Sequence, residues 1–217
     1  MEINPSVNIT VQGGGSAVGI QSAISGAADI GMADLVTLPP EAAALKPVKV
    51  AKDGIVVVVH PSNAVASLRF EQIRDVFSGV LTNWRALGGA DTPITVVSRE
   101  AGSGTRTSFE QIVGSLRLTD NAIIQDSNGT IRETVANDAN AVGYLSHGLL
   151  NERIKAVLVD GEACTEDAIR KGTYRLVRPI FLLTKAEPSA EVAAFLDFVL
   201  SPNAQKILQA SGLIPVN

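Results

Sequence analysis

The amino-acid sequence predicts an α/β protein with mostly parallel sheet, and three observations carry that prediction. Short β-branched apolar runs alternate along the chain with segments whose apolar residues stand three and four apart. Glycine- and serine-rich turns separate the two kinds of segment. With 46% hydrophobic and 18% charged residues, the 217-residue chain has apolar content enough for one large globular unit or two small lobes, and too much for a disordered chain.

Taken in order, Val7 to Gln12 alternates in polarity and reads as a strand. "GGGS" then opens a short helix with Ile20 and Ile24 on one face. "ADIGMAD" at 28–34 follows a Gly26 turn and reads as a second strand with an exposed end. After "PPEAAALK", Val48 to His60 is strand-rich and contains the longest apolar run, "GIVVVVH" at 54–60. That run is far too short to cross a bilayer, and Pro61 stops it, since proline cannot continue a central strand.

Phe70, Ile73, Val76 and Phe77 mark an amphipathic helix ending near Gly79, and "NWRALGG" is a short helical turn closed by glycines. "ITVVS" is a strand that runs directly into "REAGSGT" at 99–105, after which Phe109, Ile112 and Val113 give the next helix a buried face. "NAVGYLS", "KAVLVDG" and "RPIFLLTK" are further short apolar runs between polar, helix-compatible segments. Two helices close the chain: one capped by Ser189, the other by Ser201 with Pro202 at its first position, ending near Gly212. No repeat of fixed period is present.

Charge and composition narrow the function. The net charge is -4, with acidic and basic residues interleaved, so the basic stripe that nucleic-acid binding needs is missing. One cysteine, Cys164, cannot form an internal disulfide, and two distant histidines, His60 and His147, argue against a zinc site. The opening "MEINPSVNITVQ" lacks the basic region and apolar stretch of a secretory signal, which fits a cytosolic protein or one whose targeting segment has been removed.

Three turns each follow a strand: "GGGS" at 13–16, "MAD" at 32–34 and "REAGSGT" at 99–105. Ligands in open α/β sheets sit beyond the carboxyl ends of strands, so these turns are expected to converge on one ligand. The third is the most informative. Glycines allow close backbone approach, and the first amides of a helix are unpaired donors at the positive end of its dipole. Ser103 and Thr105 add hydroxyls, and the Arg99 guanidinium matches two oxygens of a tetrahedral oxyanion. The bland alternatives are a capped helix with a surface arginine here, a helix cap at Ser16, and a loop or cap aspartate at Asp34. Among donors, an ionised Asp34 would accept a hydrogen bond from a protonated oxyanion, which phosphate offers near neutral pH and sulfate does not.

Enzyme motifs are missing. "GGGS" lacks the third glycine of a dinucleotide fingerprint and the lysine of a Walker loop, and Ser103 has Ala101 and Thr105 where a nucleophile elbow needs glycines. No activated nucleophile or metal cluster is legible, which excludes the usual phosphoryl hydrolases.

In order along essentially the whole chain, "ITVQGGGSAVGI", "ADIGMAD", "AKDGIVVVVHPSN", "FSGVLTNWRALGG", "VVSREAGSGTRTSF", "NAVGYLS" and "RPIFLL" resemble the phosphate-binding proteins that serve bacterial phosphate ABC importers. The resemblance implies a two-lobed periplasmic binding protein of type II, with the first lobe formed by residues 1–57 and 180–217 and the second by 58–179. It implies phosphate ligands at Ser16, Asp34, Arg99, Ser103, Gly104 and Thr105, no metal, no cofactor, and no catalysis. It also implies hinge closure around the anion, a membrane permease as partner, and a periplasmic or cell-surface location. A phosphate-sensing or adhesion-type module of the same fold is the alternative. Relatives often carry serine where this chain has Ala33. They also carry a first strand, a Gly-Ser-Thr type turn and a helix ahead of the stretch matching "NPSVNITVQ", which this sequence lacks. That difference predicts a free sheet edge beside Val7 to Val11, self-association through it or rearrangement of the lobe, and weakened phosphate binding.

Overall fold

The structure is a computed structural model that describes residues 7–114 and 116–216. Its elements run α1 (Ser16–Ser25), β1 (Gly31–Ala33), β2 (Lys46–Val59), β3 (Ser67–Leu68), α2 (Phe70–Phe77), β4 (Thr95–Arg99), α3 (Gly104–Ile112), β5 (Ile123–Gln125) and α4 (Asn128–Asn137). They continue with β6 (Ala141–Ser146), β7 (Lys155–Ala156), β8 (Leu158–Val159), α5 (Glu166–Lys171), β9 (Val177–Thr184), α6 (Ala190–Leu200), α7 (Pro202–Ala210) and β10 (Ile214–Pro215). Short 3-10 turns lie at Pro40–Ala44, Trp84–Leu87 and His147–Leu149.

Most of these elements follow the sequence signals. Ser189 and Ser201 cap α6 and α7, their side chains accepting from the amides of Val192 and Ala204. In α2 the four apolar residues of the predicted face are all buried. The "GIVVVV" run is continuous because β2 is covered on both sides. Ile55, Val57 and Val59 face one hydrophobic cluster, Val56 and Val58 another, as a period of two requires.

The sheet order is β1-β9-β2-β6-β4-β5, with β7 and β10 also paired to β2, and β3 pairs separately with β8. Five of the eight ladders are antiparallel, which corrects the expectation of mostly parallel sheet. The reason lies in β2 and β9, two long strands that run side by side in opposite directions and organise everything around them. Alternation of strands and helices along a sequence does not encode that direction.

Val7 to Gln12 forms no strand, a second correction. Ile9 and Val11 are exposed, and β1, the nearest strand in sequence, is bonded to β9. Among the described residues no strand pairs with it, and an alternating segment without a neighbour has no ladder to extend it as sheet. "KAVLVDG" breaks into the two-residue strands β7 and β8, and the strand within "ADIGMAD" is confined to β1.

The apolar interior divides along β2 and β9. Ile20, Ala23, Ala33, Leu35, Ala42, Leu45 and Leu183 form one cluster, and Val50, Leu182 and Leu196 a second. The two larger clusters draw on residues from Ile55 to Val177, joined by Ile214. Within them, Phe109 of α3 stacks on Tyr144 of β6 with ring centres 4.1 Å apart, and its edge meets Phe77 of α2 at 4.8 Å. This aromatic set fixes the helix that carries "GSGT".

Candidate functional site

α1 and α3 both begin at the C-terminal ends of the turns singled out in the sequence, and the two turns touch. The amide of Ala17 donates to the carbonyl of Gly102 at 3.3 Å. A Cβ on Gly15 would lie 2.4 Å from that same carbonyl oxygen, so only glycine allows the approach.

Asp34 completes the convergence from the end of β1. Its carboxylate accepts from the Ser16 hydroxyl through Oδ1, and its own amide donates to Ser16 Oγ at 3.1 Å. Ser16 is therefore not a helix cap: Gly15 holds that position, and the serine side chain is turned to Asp34. Thr105 Oγ1 donates to Asp34 Oδ2 at 3.5 Å. Gly104 lies directly beneath, where a Cβ would meet Asp34 Oδ1 at 1.6 Å and Ser16 Oγ at 2.1 Å. All three predicted turns thus come together around one carboxylate. Ser16, Arg99, Ser103 and Thr105 are each under a tenth exposed.

Ser103 caps α3, its Oγ accepting from the amide of Arg106 at 3.3 Å. Its hydroxyl proton stays available to another acceptor. Gly104 and Thr105, as the first two residues of α3, present amides at the positive end of the helix dipole.

Arg99, buried at the end of β4, is engaged by the residue that follows it. Its Nε and Nη2 donate to Glu100 Oε2 and Oε1 at 2.7 and 2.9 Å, and Nη2 also reaches the carbonyl of Asp126 at 3.3 Å. The Nε–Nη2 edge of the guanidinium is thus held by the neighbouring carboxylate. Arg106 braces the turn, with Nη1 on the Arg99 carbonyl at 2.9 Å and Nε on Glu110 at 2.7 Å.

Two residues of the site escaped the sequence reading. Ser108 of α3 donates to the Asp34 carbonyl at 2.8 Å and accepts from the Val36 amide at 3.1 Å, which ties the loop after β1 to α3. Arg178 of β9 approaches Asp34 Oδ2 with Nη1 at 2.5 Å while pairing with Asp53 of β2. A faint signal existed for the second: "DGIVVVV" and "VRPIFLL" each set one charge at an apolar strand, and buried charges need partners. Only the register, which sets Asp53 opposite Arg178, turns that into a pair.

Chemically, the Ser16 and Thr105 hydroxyls and the Arg178 guanidinium surround the Asp34 carboxylate, and the adjoining turn adds the first amides of α3, the Ser103 hydroxyl and Arg99 paired with Glu100. Among the described residues, no group of three or more histidine, cysteine, aspartate or glutamate side chains could hold a metal ion, and no helix is long and apolar enough to cross a membrane.

Comparison with known proteins places this arrangement. A model of the PBP superfamily domain matches residues 1–203. The phosphate-binding protein PstS of Bacillus subtilis is 33% identical over all of this chain and 74% of its own length. A crystal structure from Clostridium perfringens, described as a phosphate ABC transporter substrate-binding protein with bound phosphate, superposes with a TM-score of 0.90. It is 40% identical, over 94% of this chain and 85% of that one. An ABC-type phosphate transport receptor from Vibrio cholerae gives a TM-score of 0.84 at 34% identity, over 98% and 90% of the two chains. The fold is that of a two-lobed substrate-binding protein. The chain belongs to the PBP superfamily, and within it to the family of these phosphate-binding proteins.

Proposed function

We propose that this protein binds inorganic phosphate reversibly and delivers it to the membrane permease of a phosphate ABC importer, without covalent chemistry. One observation carries the reading: the Asp34 carboxylate stands where α1 and α3 begin, against the Ser16 and Thr105 hydroxyls, the Arg178 guanidinium and the backbone of Gly104. A pocket for a fully ionised oxyanion gains nothing from a carboxylate at its centre, whereas one for an anion that keeps a proton gains an acceptor for it. Ser16, Ser103, Thr105 and the Gly104 and Thr105 amides supply the donors, and Arg99 supplies charge from the edge. The names of the relatives support the same ligand.

The lobes implied are residues 1–57 with 180–217, and 58–179. β2 and β9 are proposed as the hinge between them, a reading supported by the apolar clusters, which divide along these strands except that Ile55, Val56, Val57 and Ile214 pack with the second lobe's clusters. The location that suits the function is the periplasm or the outer cell surface. Self-association would use the free side of β1, where Met32 is exposed, and sedimentation equilibrium tests it.

Calorimetry with phosphate, sulfate and molybdate, beside a p-nitrophenyl phosphate assay, tests the function. Phosphate should bind, the two anions without a proton should not compete, and no nitrophenol should form. Equal binding of sulfate, or turnover, overturns the reading.

A further inference from the structure

Arg178 is one of the least accessible charged residues, 2% exposed, and it touches two carboxylates. Nε and Nη2 donate to Asp53 Oδ2 at 3.1 and 2.7 Å. Asp53, 1% exposed, also accepts from Ser146 Oγ at 2.8 Å through its other oxygen. The pair therefore locks β2, β9 and the end of β6 together at the point where the two long strands leave one set of clusters for the other.

The third nitrogen is different. Nη1 lies 2.5 Å from Asp34 Oδ2, charge against charge, yet the approach is out of line for a hydrogen bond and leaves Nη1 a buried donor without an acceptor. Native structures rarely keep such a donor without a use. Structure alone would need only the Asp53 contact. Around the Asp34 carboxylate stand Ser16 from α1, Gly104 and Thr105 from α3 and Arg178 from β9, and of these Arg178 alone is charged.

We infer that Arg178 is a specificity-determining positioning residue, which fixes the Asp34 carboxylate from β9 so that it is presented as an acceptor to the bound anion. The inference rests on the phosphate-binding reading above. A carboxylate turned away from the ligand would leave only donors facing it, and an unprotonated oxyanion such as sulfate would then be accepted. The guanidinium against Oδ2 opposes that displacement, because charge attraction at 2.5 Å holds the carboxylate in place. Selectivity for an anion that retains a proton is thus set from the hinge strand β9, by a side chain that need not touch the ligand.

The test compares phosphate and sulfate affinities by calorimetry in the parent protein, Arg178→Gln, Arg178→Lys, Asp34→Asn, and Arg178→Gln combined with Asp34→Asn. Arg178→Gln should shrink the phosphate-over-sulfate ratio about tenfold or more, and Arg178→Lys should restore most of it by returning the charge. In the Asp34→Asn background the same Gln substitution should leave the ratio unmoved, since nothing remains for the charge to hold. If Arg178→Gln fails to melt cooperatively, Asp53→Asn with Arg178→Gln removes both buried charges and carries the same comparison. Weaker phosphate binding with the ratio kept within about twofold would show that Arg178 serves Asp53 alone, and would overturn the inference. A parent protein that binds no phosphate overturns the functional reading first, a result that no Arg178 variant is needed to reach.

Discussion

Replacing Gly104 by alanine adds one methyl group at a place without room for it. The new Cβ would stand 1.6 Å from Asp34 Oδ1, 2.1 Å from Ser16 Oγ and 2.7 Å from Asp34 Cγ. Those atoms belong to short side chains, so they must rotate away or the backbone of α3 must shift. Rotation breaks the Ser16–Asp34 hydrogen bond and pulls the carboxylate from its place, while a shift of α3 works against the stacking of Phe109 on Tyr144. Overpacking of this kind costs about 1–3 kcal/mol in stability. A displaced Asp34 also forfeits a charge-assisted hydrogen bond to the ligand, about 1.5–3 kcal/mol, or roughly 10- to 150-fold in phosphate affinity. Gly129 supplies the control: a Cβ there meets only Ser127 Oγ at 3.6 Å, and an alanine in α4 should gain about 0.5–1 kcal/mol. Calorimetry and thermal unfolding of both variants read the two effects. Gly104→Ala with parental affinity and melting temperature would refute the placement of Asp34 against α3.

The fold was legible in the sequence where a local rule decides it. Serine caps with a following apolar face gave α6 and α7, proline gave the end of β2, and the double-sided burial of "GIVVVV" follows from its composition. Strand direction was not legible, because β2 pairs with β6, β7, β9 and β10 across long stretches of sequence, and pairing across such distances leaves no local trace. Val7 to Gln12 shows the same limit from the other side: alternation is a statement about faces, and a strand also needs a neighbour. At the site, glycine and hydroxyl turns marked where chain segments would meet, and Ser16, Asp34 and Gly104 do meet. Arg99 reads by residue type as a ligand fork, and the carboxylate one residue on, which takes its Nε–Nη2 edge, is a partner that residue type alone does not reveal. Arg178 could not be placed at all without the register that brings β9 against β2.

Three further outcomes follow from the same geometry. Arg99→Lys should weaken phosphate binding while the protein still melts cooperatively, because a point charge can neither span Glu100 nor present a second nitrogen; unchanged affinity would remove Arg99 from the site. Asp34→Asn should reduce discrimination against sulfate more than it reduces phosphate affinity, since the amide can donate to an unprotonated oxygen, and sulfate that remains as poor a competitor as before would count against this. The last concerns alkali. Burial first, and the Asp53 charge second, push the Cys164 thiol up from 9.0 to about 12, and burial likewise pushes the Tyr144 phenol from 10.0 to about 12. Tyr174 is raised as well, again chiefly by burial. These groups are neutral when protonated, so the folded protein keeps protons that the unfolded chain releases. Stability is therefore fully present below about pH 9 and falls as pH rises from about 9 to about 12, by up to about 1.4 kcal/mol per pH unit for each group that remains protonated. The thermal midpoint should drop over that range, and Cys164→Ala should flatten its early part, where the thiol is the first of the three to ionise in the unfolded chain. A midpoint that stays level to about pH 11, or a Cys164→Ala profile parallel to the parent, would mean that these side chains reach solvent in the folded protein.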